Sequence, residues 1–354
     1  MSIRRPPKHL LTHSRQDCFK ICRKKHYYAY ELGIRKTSVA KALRFGTNGH
    51  AGLEILGCGG SLADAMAAIH LAYRRRPDNV DQLEWKYEEE TLRQLINGYY
   101  WRWGEDACQH IATEQTFRMP LHNPQTDKAS RTFELAGKID GIIRLEDGRL
   151  AVLEHKFLGE SLDSGSDLWK RLLIDHQVTL YLMAARNIGY DVDTVIYDVI
   201  RKPTIKPTEV AELDSDGIKV VVDAAGNRVL NQNGTPRQTA STKDGYTLLS
   251  RPMTVEEWGQ KLNADIGERP EYYYVRREIP RLEGDIRDYT EELWDIAHAM
   301  RDARNHNRWY RTANKNTCSW CSYYGLCTTH FDPSSSELPD GFEITKNLHP
   351  ELEL

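Results

Sequence analysis

Residues 132–157 read TFELAGKIDGIIRLEDGRLAVLEHKF, and this stretch decides the fold. Thr132–Arg144 has the texture of strand, EDGR at 146–149 makes a turn, and Leu150–Phe157 is a short apolar strand with charges at its end. Asp140 closes the segment ELAGKID, and Glu154 and Lys156 stand two apart on the next strand. Residues i and i+2 of a strand share a face. Two carboxylates and one ammonium therefore converge beside a sheet. Paired carboxylates suit Mg²⁺ or Mn²⁺, which take hard oxygen ligands. Such an ion lowers the pKa of a bound water and stabilises charge on a phosphoryl oxygen. A neighbouring lysine orients that water or neutralises developing charge. Read as charges alone, the same three residues also make a surface salt-bridge set. A second E-x-K, Glu84–Trp85–Lys86, lies in a helical pattern where i and i+2 point apart, and reads as solvated surface.

Downstream of this stretch, Leu168–Leu173 and Asp175–Arg186 read as helix, Gly189 as a C-cap and Val192–Ile200 as strand. Upstream, residues 14–32 are helical, Gly46 and Gly49 break the pattern, and a short helix runs near His50–Leu56. Ser61 caps a helix reaching about Arg76, where Pro77 stops it, and Asp81 to about Trp103 forms another. Gln115–Met119 alternates weakly. Helices, two or three strands, a helix and a strand imply an α/β core with a mixed central sheet flanked by helices. Residues 203–247, rich in Pro, Gly, Asn, Asp and Thr, read as an inserted hairpin with loose flanks. Helices return at Thr254–Ile266 and Glu283–Asn305, with a strand at Tyr272–Ile279 between them. No internal repeat is visible. The expected organisation is an N-terminal helical region (1–110), a core (111–202), the insertion (203–250), C-terminal helices with a cysteine segment (251–330) and an acidic, loosely held tail (331–354).

The 354 residues are 40% hydrophobic and 28% charged, enough to build a core without disulfides. Mean hydropathy is −0.62, and no apolar run approaches the ~18 residues of a membrane span. The basic N-terminus has no apolar stretch behind it to serve as a secretion signal. A cytoplasmic protein is expected, with no membrane partner. Net charge is −3, yet residues 1–44 hold 12 Lys/Arg against 2 Asp/Glu. That asymmetry is either a basic binding surface or a solvated helix. Arg23, Lys24 and Lys25 lie beside Tyr27, Tyr28 and Tyr30; basic residues track phosphates, and aromatic rings stack unpaired bases. At least one of Tyr27 and Tyr30 is expected in the core.

Two further groups stand out. His50 lies in FGTNGHAGLE, and Gln177 and Tyr181 in HQVTLYLMAAR, where i and i+4 share a helix face. Cys318-x2-Cys321-x5-Cys327 is a local metal signature lacking a fourth ligand, for which Cys18 and Cys22 are candidates. Iron–sulfur clusters and structural Zn²⁺ both accept four thiolates, and spacing alone admits either. Cys58 and Cys108 have no partner pattern and read as buried thiols.

The order G-x-x-x-H, G-x-I-D, an apolar strand ending E-x-K, then Q-x-x-x-Y resembles the PD-(D/E)XK nuclease superfamily. More narrowly it resembles the RecB-like branch, with the CRISPR-associated RecB-like exonucleases and the AddB nuclease domain. The motifs span residues 14–327. The resemblance implies a restriction-endonuclease-like core. It implies that Asp140, Glu154 and His50 bind Mg²⁺ or Mn²⁺, that Lys156 acts on the attacking water, and that Gln177 and Tyr181 support the site or the DNA backbone. A subset of such nucleases hold a [4Fe–4S] cluster by one N-terminal and three C-terminal cysteines. The spacing from Ser14 and the trailing RKKHYYAY then imply Cys22 with Cys318, Cys321 and Cys327, although Arg23 stands where that subset commonly has Pro. The implied function is a DNA nuclease, an exonuclease on single-stranded or end-containing DNA in repair, recombination or phage DNA processing, in a bacterial or phage-infected cell. The rival readings are an inactive iron–sulfur DNA-binding scaffold and a CRISPR spacer-processing nuclease. No G-x4-G-K-[ST] occurs, so unwinding would fall to a partner such as a helicase or recombination protein.

Overall fold

The computed structural model describes residues 8–104, 108–334 and 337–352. The first seven residues of the basic N-terminal stretch, and positions 335–336 and 353–354 of the acidic tail, lie outside them. In chain order the main elements are β1 (His9–Leu11), α1 (His13–Ile21), β2 (Ile34–Lys36), α2 (Lys41–Gly57), α3 (Leu62–Ala72), α4 (Gln82–Trp103), β3 (Gln109–His122) and β4 (Ala129–Arg144). There follow β5 (Leu150–Leu158), α5 (Asp167–Leu172), α6 (His176–Asn187), β6 (Val192–Arg201), α7 (Val255–Glu268), β7 (Tyr274–Pro280), α8 (Glu283–Asn305) and β8 (Phe342–Ile344). Helix starts follow side-chain chemistry. Ser61 and Asp64 form a capping box on α3, as do Thr254 and Glu257 on α7, and Asp175 accepts from the Val178 N–H at the start of α6.

Six strands make the expected mixed sheet. β3 lies antiparallel along one edge of β4. β1 and β5 share the other edge: β1 runs parallel to Phe133–Leu135, and β5 antiparallel to Gly141–Arg144. Between them, among the described residues, 136–140 of β4 face no strand on that side, and the sheet is split there. β6 continues parallel to β5, and β7 antiparallel to β6. Helices α6 and α8 cover one face with Val178, Leu182, Leu293 and Met300, packed on Phe133, Leu135 and Val195. Helices α2, α4 and α7 cover the other with Leu53, Leu92, Leu95 and Leu262.

Several expectations are corrected. Gly46 and Gly49 do not break a helix, because α2 runs through both. A Cβ on Gly49 would sit 2.3 Å from the Phe157 ring, so this glycine lets α2 approach β5 closely. Gly49→Ala should therefore cost about 1–3 kcal/mol by overpacking, read as a lower melting temperature; an unchanged one would contradict this contact. The helix expected over 14–32 breaks at Cys22, whose backbone is extended (φ −164°, ψ 117°). Cys18 and Cys22 therefore do not share one helix face. Residues 270–273 are helical, so the strand expected from Tyr272 starts at Tyr274.

The described part of the tail is held in place. β8 pairs antiparallel with β2, the Thr345 N–H bonds to the Gly33 carbonyl, and His349 is buried. The insertion holds a short repeat that hydrophobic periodicity could not reveal. Asp214 and Asp223 each accept backbone N–H groups of their own turn, and Asn233 accepts from Thr235. The glycines at 217, 226 and 234 take positive φ, and each turn is closed by an isolated bridge.

The N-terminal segment carries an acid-sensitive contact. His26 has no exposed surface and accepts from Arg15 Nε at 3.2 Å between the rings of Tyr30 and Trp309. Burial, then the charges of Arg15 and Arg304, lower its pKa to about 2. Unfolded, it titrates near 6.5. Between those values the unfolded chain binds the extra proton, so stability falls as pH drops below about 6.5. The slope is up to about 1.4 kcal/mol per pH unit. His9 and His13, lowered to about 4 mainly by burial, add to it. His26→Gln should flatten the acid limb of a melting-temperature profile between pH 7 and 5, and an equally steep limb would contradict the assignment.

Candidate active site

The split in the sheet positions the acidic residues. β5 runs five residues past its last pairing with β4 at Leu153, and two residues past it the His155 N–H donates to Asp140 Oδ2 at 2.8 Å. The side chain of Asp140 thus takes the place of the missing ladder bond. Its other oxygen, Oδ1, faces His50 Nδ1 on α2 at 3.5 Å. Burial lowers the His50 pKa, against the opposing pull of Asp140, so the imidazole is held neutral with a lone pair for a ligand.

Glu154 and Lys156 share a face of β5, and Lys156 Nζ bonds Glu154 Oε1. Glu154 is 2% exposed, and its Oε2 has no hydrogen-bond partner. Burial pushes this carboxyl up; Lys156 pulls it down, and Asp140 pushes it further up. Burial alone would lower the Lys156 ammonium, but Glu154, then Tyr197 and Asp140, hold it raised and charged. Gln177 Nε2 donates to the Tyr181 hydroxyl at 3.1 Å on α6. His50, Asp140, Glu154, Lys156, Gln177 and Tyr181 line one cleft of about 640 Å³. The surface salt-bridge reading of the acidic set fails here because Glu154 is buried at the cleft wall.

The tight donor set differs from the expected His50, Asp140 and Glu154. His50, Asp140 and Glu114 bring one donor atom each within 4.8 Å of one another, the only such group among the described residues. Glu154 lines the same cleft but turns one oxygen to Lys156. Sequence reasoning missed Glu114, which lies on β3 between Thr113 and Gln115, the partners of Gly141 and Ile139, and so opposite Asp140. It ion-pairs with Lys138 and holds φ at +51°, a conformation uncommon for a non-glycine residue and frequent at functional sites. No spacing motif marks it. On the back of β5, His155 faces Asp198, a fully buried carboxylate that accepts from Tyr99 at 2.7 Å and Arg276 at 2.9 Å. Burial alone would raise Asp198; Arg276 first, then His155 and Tyr99, hold its pKa at about 2.

The cysteine segments also meet. Cys18, Cys321 and Cys327 pack with Tyr28, Tyr30, Ile34, Tyr323 and Leu326 in one small core. The Thr312 N–H points at Cys22 Sγ (3.4 Å), and the Thr312 carbonyl lies 3.9 Å from Cys318 Sγ. Burial raises the Cys18 thiol to about 11, with Cys22 and Cys321 among its neighbours, and Cys327 is raised by burial, Cys321 and Cys22. All seven cysteines are free thiols, with Cys58 exposed and Cys108 half-buried rather than buried.

Of the basic run, Arg23 lies over Phe19 and Tyr310, and Lys24 over Tyr27 and Tyr28. Lys25 is half-buried. Tyr28, expected to stack a base, is 1% exposed and donates to the Leu326 carbonyl, so its ring serves the core. Tyr30 is buried as well.

A family profile described as the PD-(D/E)XK nuclease superfamily matches residues 10–328. No curated protein matches the chain significantly. The similar solved structures include two of low sequence identity. One is the protein SSO0001, at 13% identity over 81% of this chain and 85% of that one, with a TM-score of 0.28. The other is a candidate exonuclease from Eubacterium rectale, at 10% identity over 88% and 93%, with a TM-score of 0.35. Among the described residues no helix is long and apolar enough to cross a membrane.

Proposed function

The chain belongs to the PD-(D/E)XK nuclease superfamily, and on that premise we propose that it is a metal-dependent deoxyribonuclease of the RecB-like branch, acting as an exonuclease on DNA. One observation carries the reading: side chains from positions 50, 140, 154, 156, 177 and 181, spread over three separate stretches, line a single cleft.

The cleft fits a divalent cation. Two carboxylates and an unpartnered buried oxygen on Glu154 are hard donors suited to Mg²⁺ or Mn²⁺, and the neutral imidazole, a borderline donor, suits Mn²⁺ better. Asp140 and His50 would hold it, with Glu154 and Glu114 as the further carboxylates. Such an ion supplies Lewis acidity toward a phosphoryl oxygen and a water of lowered pKa. Lys156, kept charged by Glu154, orients the attacking water and neutralises the negative charge that grows on phosphorus oxygens. Gln177 and Tyr181 position the scissile phosphate or its neighbour. His155 holds Asp140 in place through its backbone N–H. Arg23, Lys24 and Lys25 contact phosphates further along the strand.

We also assign a [4Fe–4S] cluster to Cys22, Cys318, Cys321 and Cys327. Two supports are the approach of Cys22 and Cys318 to the same residue, Thr312, and the family order of motifs. Packing alone does not separate Cys22 from Cys18, so Cys22 rests on the resemblance.

The exonuclease reading is tested with Mn²⁺ and matched circular and linear single-stranded DNA. The linear form should be degraded and the circle spared. Equal nicking of both would leave a nuclease but overturn the exonuclease.

A further inference from the structure

A second group of cations lies away from the cleft. The β3–β4 turn and the middle of α8 enclose a pocket of about 210 Å³ whose polar walls include Lys128, Arg131, Arg301, His298, Ser130 and Thr132. No acidic side chain lines it. Among the described residues, Lys128, Arg131 and Arg301 take part in no ion pair. The rings of Trp294 and His298 pack 4.7 Å apart at the same wall.

We propose that this pocket binds backbone phosphates of the nucleic-acid strand whose end lies in the catalytic cleft. Two guanidinium groups, an ammonium and two hydroxyls are the donors that match a phosphodiester. A cationic ligand finds no counter-charge here. The pocket and the cleft are joined by one strand: Lys128–Phe133 borders the pocket, and Gly137–Asp140 lines the cleft. From Arg131 to Asp140 is nine residues, about 30 Å at 3.3 Å per residue. A stacked strand rising 3.4 Å per nucleotide covers that span with about nine nucleotides. The pocket is then a distal anchor that short oligonucleotides do not reach. The inference rests on the nuclease reading, and it adds a dependence on substrate length.

The test compares wild type with the triple variant Lys128→Gln, Arg131→Gln, Arg301→Gln, none of which belongs to the cleft. Fluorescence anisotropy follows binding of 5- and 15-nucleotide single-stranded DNA with Ca²⁺ present, and cleavage of the 5-mer is measured with Mn²⁺. Wild type should prefer the 15-mer by at least tenfold. The variant should lose that preference while binding and cleaving the 5-mer as wild type does. Its salt slope on the 15-mer should fall by about two, at ~0.7 per phosphate contact. A variant that keeps full affinity and slope for the 15-mer, with the 5-mer still cleaved, overturns the anchor alone. Wild type that binds neither oligonucleotide overturns the nuclease reading and the anchor with it. Inorganic phosphate bound tightly by wild type and lost in the variant, with no length preference for DNA, marks a free-anion site and also overturns it.

Discussion

Lys156→Ala should lower the rate of DNA cleavage by ~10²–10³-fold, the loss expected when one preorganised contact to transition-state charge is removed. The fold should survive. Lys156 lies against Glu154 at the wall of the cleft, not in the apolar core of the sheet. Removing it leaves a buried carboxylate without a counter-charge, which ordinarily costs about 3–5 kcal/mol. Glu154 escapes most of that cost by taking up a proton, since burial already favours its neutral form. The protonated acid is a poorer metal ligand, so Mn²⁺ affinity should fall alongside the rate. Glu154→Ala should be at least as damaging, because it removes the carboxylate and releases Lys156 from its position. Circular dichroism should match wild type in both variants. Wild-type turnover in Lys156→Ala would remove the lysine from the mechanism.

Cys22→Ser and Cys321→Ser should each lose most of the iron from anaerobically purified protein. That protein should be brown and hold about four irons per chain. Cys18→Ser should keep its iron. The structural consequence should be as large as the spectroscopic one. The cluster would tie residue 22 to residues 318–327, closing nearly the whole chain into a loop, and ligands that meet only in the folded state add their binding energy to folding. Cys321 and Cys327 pack on the small core of Tyr28, Tyr30, Ile34, Tyr323 and Leu326. Melting should therefore move several degrees lower in both cluster variants. One tightly held zinc without iron would keep the thiolate site and refute the cluster, and iron lost equally in Cys18→Ser would shift the ligand to that residue.

Much of the site was legible because it depends on short-range pattern. Glu154 and Lys156 share a face by strand alternation alone, and Gln177 and Tyr181 by helical spacing. Helix Glu283–Asn305 matched to the residue because an unbroken amphipathic run has few alternatives. Glu114 was illegible because its place depends on the pairing of Thr113 with Gly141, more than twenty residues away, in a strand whose alternation is weak. Gly49 misled because glycine signals flexibility in sequence, whereas here it yields space to Phe157. Tyr28 looked like a stacking residue among basic neighbours, but the cysteine segment from the far end of the chain covers it. β1 is three residues long and exists only because β4 offers it an edge.

The central claim is that the cleft around Asp140, Glu154 and Lys156 hydrolyses DNA with a divalent ion. It is tested most directly by incubating wild type and Asp140→Asn with end-labelled linear DNA in Mg²⁺, in Mn²⁺ and in EDTA. Wild type should release short products with either metal and none in EDTA, and Asp140→Asn should release none under any condition. Metal-independent cleavage, or cleavage by Asp140→Asn at the wild-type rate, would contradict it.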